Sequence, residues 1–106
     1  MESLTTEDFR ERIYFDDERS AVLFTAPWCG FCRSMKLMIE KAEKDFGTIN
    51  FYVVDIDKEP GLKNAFSVSA VPTFIIFEEG KPLNRATGLI KKSELYTLLG
   101  AELMTE

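Results

Sequence analysis

Three short runs constrain this chain more than anything else in it: Ala21-Val22-Leu23-Phe24, Phe51-Tyr52-Val53-Val54 and Thr73-Phe74-Ile75-Ile76-Phe77. Each is continuous rather than alternating, rich in β-branched and aromatic residues, and of strand length. A strand with one wet face alternates apolar and polar residues, whereas a strand covered on both faces does not. The runs therefore predict a sheet sandwiched between helices. At 106 residues and 45% hydrophobic content, the chain reads as one domain, residues 1–106, able to bury a core without staples. No repeat, low-complexity tract or linker divides it.

The segments between the runs carry the helical period. Met35, Ile39, Ala42 and Phe46 recur at i, i+4, i+7 and i+11 and predict a helix from Cys32 to Phe46. Lys36, Glu40 and Lys44 line its solvated side. Thr6 to Tyr14 reads as a helix capped by Thr5 or Thr6, with acids in its first turn. Pro60 suits the first turn of a short helix ending near Phe66. Glu79-Gly80-Lys81 reads as a hairpin turn into a strand over Leu83 to Thr87, and Leu95, Leu98, Leu99 and Leu103 mark a last helix. A βαβ unit followed by a hairpin implies an α/β fold with a mixed sheet.

Charge narrows the function classes. A net charge of −5, from 13 basic and 18 acidic residues, argues against nucleic acid and anionic lipid as partners. The first residues include Glu2, Glu7, Asp8 and Glu11 and offer neither the basic start nor the apolar stretch of a secretory signal. No window approaches the length of a membrane span. The expected location is the cytoplasm, where a closely spaced cysteine pair reads as redox-active or metal-binding rather than as a structural bridge. A disulfide closing so short a loop would add little as a staple in any case.

That pair is Cys29 and Cys32, the only cysteines present, with two residues between them and no histidine anywhere in the chain. The spacing lets both sulfurs meet across one turn at the start of a helix and cycle between dithiol and disulfide. Structural zinc wants four ligands, so a zinc or iron–sulfur module would need a symmetric dimer with a four-thiolate site. Asp55 and Asp57 read as strand-end acids facing solvent, not as a metal pair.

Taken together, these parts resemble the thioredoxin family over nearly the whole length. The resemblance rests on Phe24-Thr25-Ala26-Pro27-Trp28-Cys29-Gly30-Phe31-Cys32, then Asp55-Ile56-Asp57, Val71-Pro72-Thr73 and Gly88. It implies a thioredoxin fold: a central mixed sheet of four to five strands with helices on both faces, its first strand short or absent. It also implies a cis peptide bond before Pro72, beside the disulfide. Four positions depart from the family's pattern. Leu23 stands where a buried aspartate is usual, Phe31 where a proline separates the cysteines, Val53 in place of a buried lysine, and Leu37 in place of a helix-kinking proline.

The resemblance implies a thiol–disulfide oxidoreductase, most naturally a reductase of protein disulfides, recharged by a separate flavoprotein thioredoxin reductase. Cys29 is the expected nucleophile, placed ahead of a helix whose N-terminal dipole favours a thiolate. Cys32 is the expected resolving cysteine, attacking the mixed disulfide on Cys29. Trp28, Gly30 and Phe31 flank the pair; Trp28, Phe31, Val71, Pro72 and Gly88 are expected to form an apolar groove for an extended partner segment. Plain core packing for Trp28, a turn role for Gly88 and surface charge for Arg33 and Lys36 are the plainer readings. No bound cofactor or metal is called for beyond the redox-active pair, and a monomer is expected. The alternatives are a specialised or redox-inert interaction protein, or the dimeric metal module. A glutathione-using enzyme lacks its glycine and acid pattern after Thr73, and an oxidative-folding enzyme would carry histidine where Phe31 stands.

Overall fold

In the computed structural model, which describes residues 1–105, the three apolar runs are the three central strands of a five-stranded sheet. The elements are β1 (Glu2–Ser3), α1 (Thr6–Phe9), β2 (Ser20–Thr25), α2 (Gly30–Glu43), β3 (Asn50–Asp55), α3 (Pro60–Ala65), β4 (Thr73–Glu78), β5 (Lys81–Thr87) and α4 (Lys92–Leu99). Spatial order is β1-β3-β2-β4-β5. β3 runs parallel to β1 and β2, while β4 is antiparallel to β2 and β5. The first strand is short, as expected, with two residues.

Strand alternation sorts the core into two layers, because successive side chains point to opposite faces. Val22, Phe24, Tyr52, Val54, Ile75 and Phe77 pack under Phe9, Ile13 and Leu62. Ala21, Leu23, Phe51, Val53, Phe74 and Ile76 pack under Met35, Ile39, Leu95 and Leu99. Both faces are dry, which is why the runs show no polar alternation. Each fully buried Leu, Ile or Phe contributes about 1.5–3 kcal/mol of transfer free energy.

Several boundaries differ from the expectations. α2 begins at Gly30, with Cys29 as its N-cap, and ends at Glu43, so Phe46 completes the core stripe from beyond the helix. The first helix is capped by the Thr5 side chain, which accepts from the Asp8 amide. It loosens after Phe9 into a π-helical segment, Arg10–Tyr14, where the Phe15 amide reaches back to the Arg10 carbonyl at 3.2 Å. The β4–β5 turn holds Glu79 and Gly80 at φ of 52° and 78°, the left-handed pair that suits a two-residue hairpin. Gly80 also lies so close to the Tyr14 carbonyl that a Cβ has no room. Among the described residues, no helix is long and apolar enough to cross a membrane.

Candidate active site

Parallel pairing of β2 and β3 puts Thr25 level with Asp55, so the segments leaving these strands emerge at one edge of the sheet. The Ala26–Cys29 turn closes with the Cys29 amide donating to the Ala26 carbonyl at 3.1 Å. It delivers Cys29 in an extended conformation to the N-cap of α2. First-turn amides of a helix have no intrahelical partner and carry the positive end of its dipole. Cys29 therefore sits where a thiolate is stabilised. Cys32, one turn in, faces the core and is 4% exposed. The two residues are disulfide-bonded, with Cα atoms 5.4 Å apart.

The other edge of the site comes from the antiparallel half of the sheet. The Val71–Pro72 peptide bond is cis, and Pro72 is buried while Val71 is half-exposed. Val71 packs against the same core layer as Cys29. The loop is held from both sides: Thr73 Oγ1 donates to the Ala70 carbonyl at 2.6 Å, and the Gly88 amide donates to the Pro72 carbonyl at 2.7 Å. Gly88 has a φ of 86°, a conformation that glycine adopts without Cβ strain. It is both a turn glycine and the clamp on the Pro72 loop.

Trp28 is not packed in the core. It is 67% exposed, and Phe31 on the first turn of α2 is 65% exposed, so both are lips beside Cys29. The indole Nε1 donates to Asp57 Oδ2 at 2.9 Å. Asp57 is in turn positioned by its own amide, which donates to Asp55 Oδ1 at 2.9 Å. As expected, Asp55 and Asp57 stand at the strand end, with Asp57 exposed and Asp55 half-exposed; in addition, Asp57 anchors the indole, and Asp55 organises the turn that carries Asp57. A signal was present in the sequence. Trp28 lies three residues past the end of one strand and Asp57 two past its parallel neighbour, so the pair meets once the strands are known to be adjacent.

The departures also have places. Leu23 is fully buried in the layer beneath α2 and α4. Val53 lines a crevice of about 250 Å³ that reaches Cys32, together with Thr25, Cys29, Arg33 and Lys36. Leu37 is exposed on α2, which runs unbroken past it. Among the described residues, no three Cys, Asp or Glu side chains converge as a metal site.

The family model for thioredoxin matches residues 1–101. The chain belongs to the thioredoxin family. Among its relatives, thioredoxin of Chlamydia trachomatis is 36% identical over 76 residues, covering 72% of this chain and 74% of that protein. Thioredoxin M4 of Arabidopsis thaliana chloroplasts is 31% identical over 94 residues, and there the match spans 88% of this chain but only 49% of the relative. The thioredoxin of Malassezia sympodialis, a solved structure, shares the fold at a TM-score of 0.83 and 24% identity, covering 92% of this chain and 85% of that one. Family membership makes the chain a thiol–disulfide oxidoreductase, and Cys29 and Cys32 are its one Cys-x-x-Cys pair, present as a disulfide. As in thioredoxins generally, the redox group is the protein's own disulfide.

Proposed function

We propose that the protein works in the cytoplasm as a monomer that reduces disulfides of other proteins and is recharged by a separate flavoprotein reductase. The observation that carries this reading is the asymmetry of the two sulfurs: Cys29 at the half-exposed rim, Cys32 at 4% exposure behind it. The Cys29 thiolate attacks one sulfur of the substrate disulfide; the new S–S bond forms as the other substrate sulfur leaves as a thiolate and takes a proton from water. Cys32, deprotonated, then attacks Cys29, closing the Cys29–Cys32 bond and expelling the second substrate thiolate. Two electrons pass from the protein to the substrate. Trp28, Phe31 and Val71 form the apolar rim against which an extended substrate segment lies, pairing with the backbone at Val71.

Reduction of a protein disulfide such as insulin's, with dithiothreitol or a flavoprotein thioredoxin reductase as donor, tests the reading. Cys29→Ser is expected to abolish turnover, and Cys32→Ser to trap a covalent adduct with the substrate. Turnover independent of both cysteines, or none in the wild-type protein, would sink it. The second outcome would favour a redox-inert interaction protein, the reading to which buried Leu23 and Val53 lend support.

A further inference from the structure

Resolution of the mixed disulfide requires Cys32 as a thiolate, because the thiol is not the nucleophile. Cys32 is buried at 4% exposure, and burial in apolar surroundings raises a thiol's pKa. Beneath the site, Leu23 and Val53 supply no charge. What lowers the barrier to ionising Cys32 must therefore come from the crevice that reaches it. On the α2 side the charged groups there are Arg33 and Lys36. A contiguous crevice of about 340 Å³ shares Thr25, Lys36 and Val53 with the first and adds Asp55, Lys58 and Glu59.

These groups are not equivalent. Lys36 follows Cys32 by four residues, which places the two side chains on one helix face, about 5–6 Å apart at Cβ. Arg33 is the next residue and leaves the helix roughly 100° further round. Lys36 makes no ion pair within 4.0 Å among the described residues. The nearby acids are engaged elsewhere: Asp55 Oδ1 accepts from the Asp57 amide at 2.9 Å, and Glu59 Oε1 accepts from the Thr6 amide and hydroxyl at 2.7 and 3.0 Å.

We propose that Lys36 is a positioning residue for the resolving step, its ammonium group stabilising the Cys32 thiolate from the crevice. The Cys32 proton leaves to crevice water. The sulfur's electron pair forms the bond to Cys29, and the departing partner thiolate takes up a proton from solvent. Lys36 keeps its own proton throughout. This inference rests on the oxidoreductase reading and names the charge that the resolving half of that chemistry uses.

The test is stopped-flow oxidation of the reduced protein by a neutral aromatic disulfide, dithiodipyridine, followed by thiopyridone release across pH. The first equivalent reports attack by Cys29; the second, independent of reagent concentration, reports attack by Cys32. Lys36→Gln is expected to slow the second phase about two- to fivefold at pH 7, and more than the first. At pH high enough to ionise Cys32 fully, the variant should match or exceed the wild type, since a more basic thiolate is the better nucleophile. A merely structural defect would slow it at every pH. Lys36→Arg should restore the wild-type profile, and Asp55→Asn should speed the second phase by removing an opposing charge. Coincident Lys36→Gln and wild-type profiles, or a second phase slowed by Asp55→Asn, would overturn the proposal. Absence of any second equivalent from the wild-type protein would overturn the oxidoreductase reading and this with it.

Discussion

Phe31 occupies the second position of α2, so its amide is one of the helix's unpartnered donors and faces the end where Cys29 stands. A proline there would keep the helix but remove that donor. Phe31→Pro is therefore expected to raise the apparent pKa of Cys29, read from its alkylation rate against pH, with little loss of stability. An unchanged pKa would leave Phe31 as an apolar lip only. Leu23 tests the opposite exchange. It is fully buried, and Leu23→Asp places a carboxyl among apolar side chains, costing about 2–4 kcal/mol by urea denaturation. The same acid should speed resolution by accepting the Cys32 proton. If turnover of the folded variant is unchanged or lower, an acid at that place has no such role in this protein.

At the scale of elements, α4 is fastened to the chain leaving α2 by a side-chain bond. The Tyr96 hydroxyl donates to the Asp45 carboxylate, and the Tyr96 ring meets Phe46 edge-on at 5.3 Å between centroids. The hydrogen bond to Asp45, then burial, then the negative charge of Asp45 hold the Tyr96 hydroxyl above its ordinary pKa. Because the folded value exceeds the unfolded one, native Tyr96 keeps its proton where the unfolded chain has lost it. The stability it contributes is full below about pH 10 and is lost as pH rises through the folded value. Tyr96→Phe should flatten that alkaline decline when urea midpoints are compared at about pH 9 and pH 11; equal slopes would contradict it. Tyr52, raised chiefly by burial, leaves a residual decline in both proteins. At this scale, what is legible in the sequence is what burial writes into composition: strands dry on both faces, and the Met35, Ile39, Ala42, Phe46 stripe. The π-helical turn at Arg10–Tyr14 is not legible there, because it differs from an α-turn by one hydrogen-bond register and leaves the hydrophobic spacing unchanged. The Trp28–Asp57 bond and the Gly88 clamp on Pro72 are not legible either. Each joins residues that are neighbours only through the sheet order, and no local period records it.

For the whole molecule, the sheet divides the core into two layers, and Arg19 ties the C-terminal end of α4 to it. Its guanidinium donates to both Glu78 carboxylate oxygens and to the Leu99 carbonyl at 3.0–3.1 Å. Stability thus comes from the layers and not from the disulfide, whose loop is too short to restrict the unfolded chain by much. The bond is free to be made and broken as chemistry. Its potential should lie above thioredoxin's roughly −270 mV by about 20–40 mV, since the Phe31 amide favours the reduced, thiolate-bearing form. Equilibration in glutathione buffers measures it. A value at or below thioredoxin's would mean that the amide does not bias the equilibrium.

Trp28 is the only tryptophan in the chain, it precedes the nucleophilic cysteine, and its indole is tethered at one edge while its faces stay in solvent. All of the protein's indole emission therefore originates beside the reacting sulfurs. A disulfide accepts an electron from an excited indole more readily than a pair of thiols does, so the oxidised form should be the dimmer one. Every electron pair that enters or leaves the site is thereby written into the light the protein emits, with no label added.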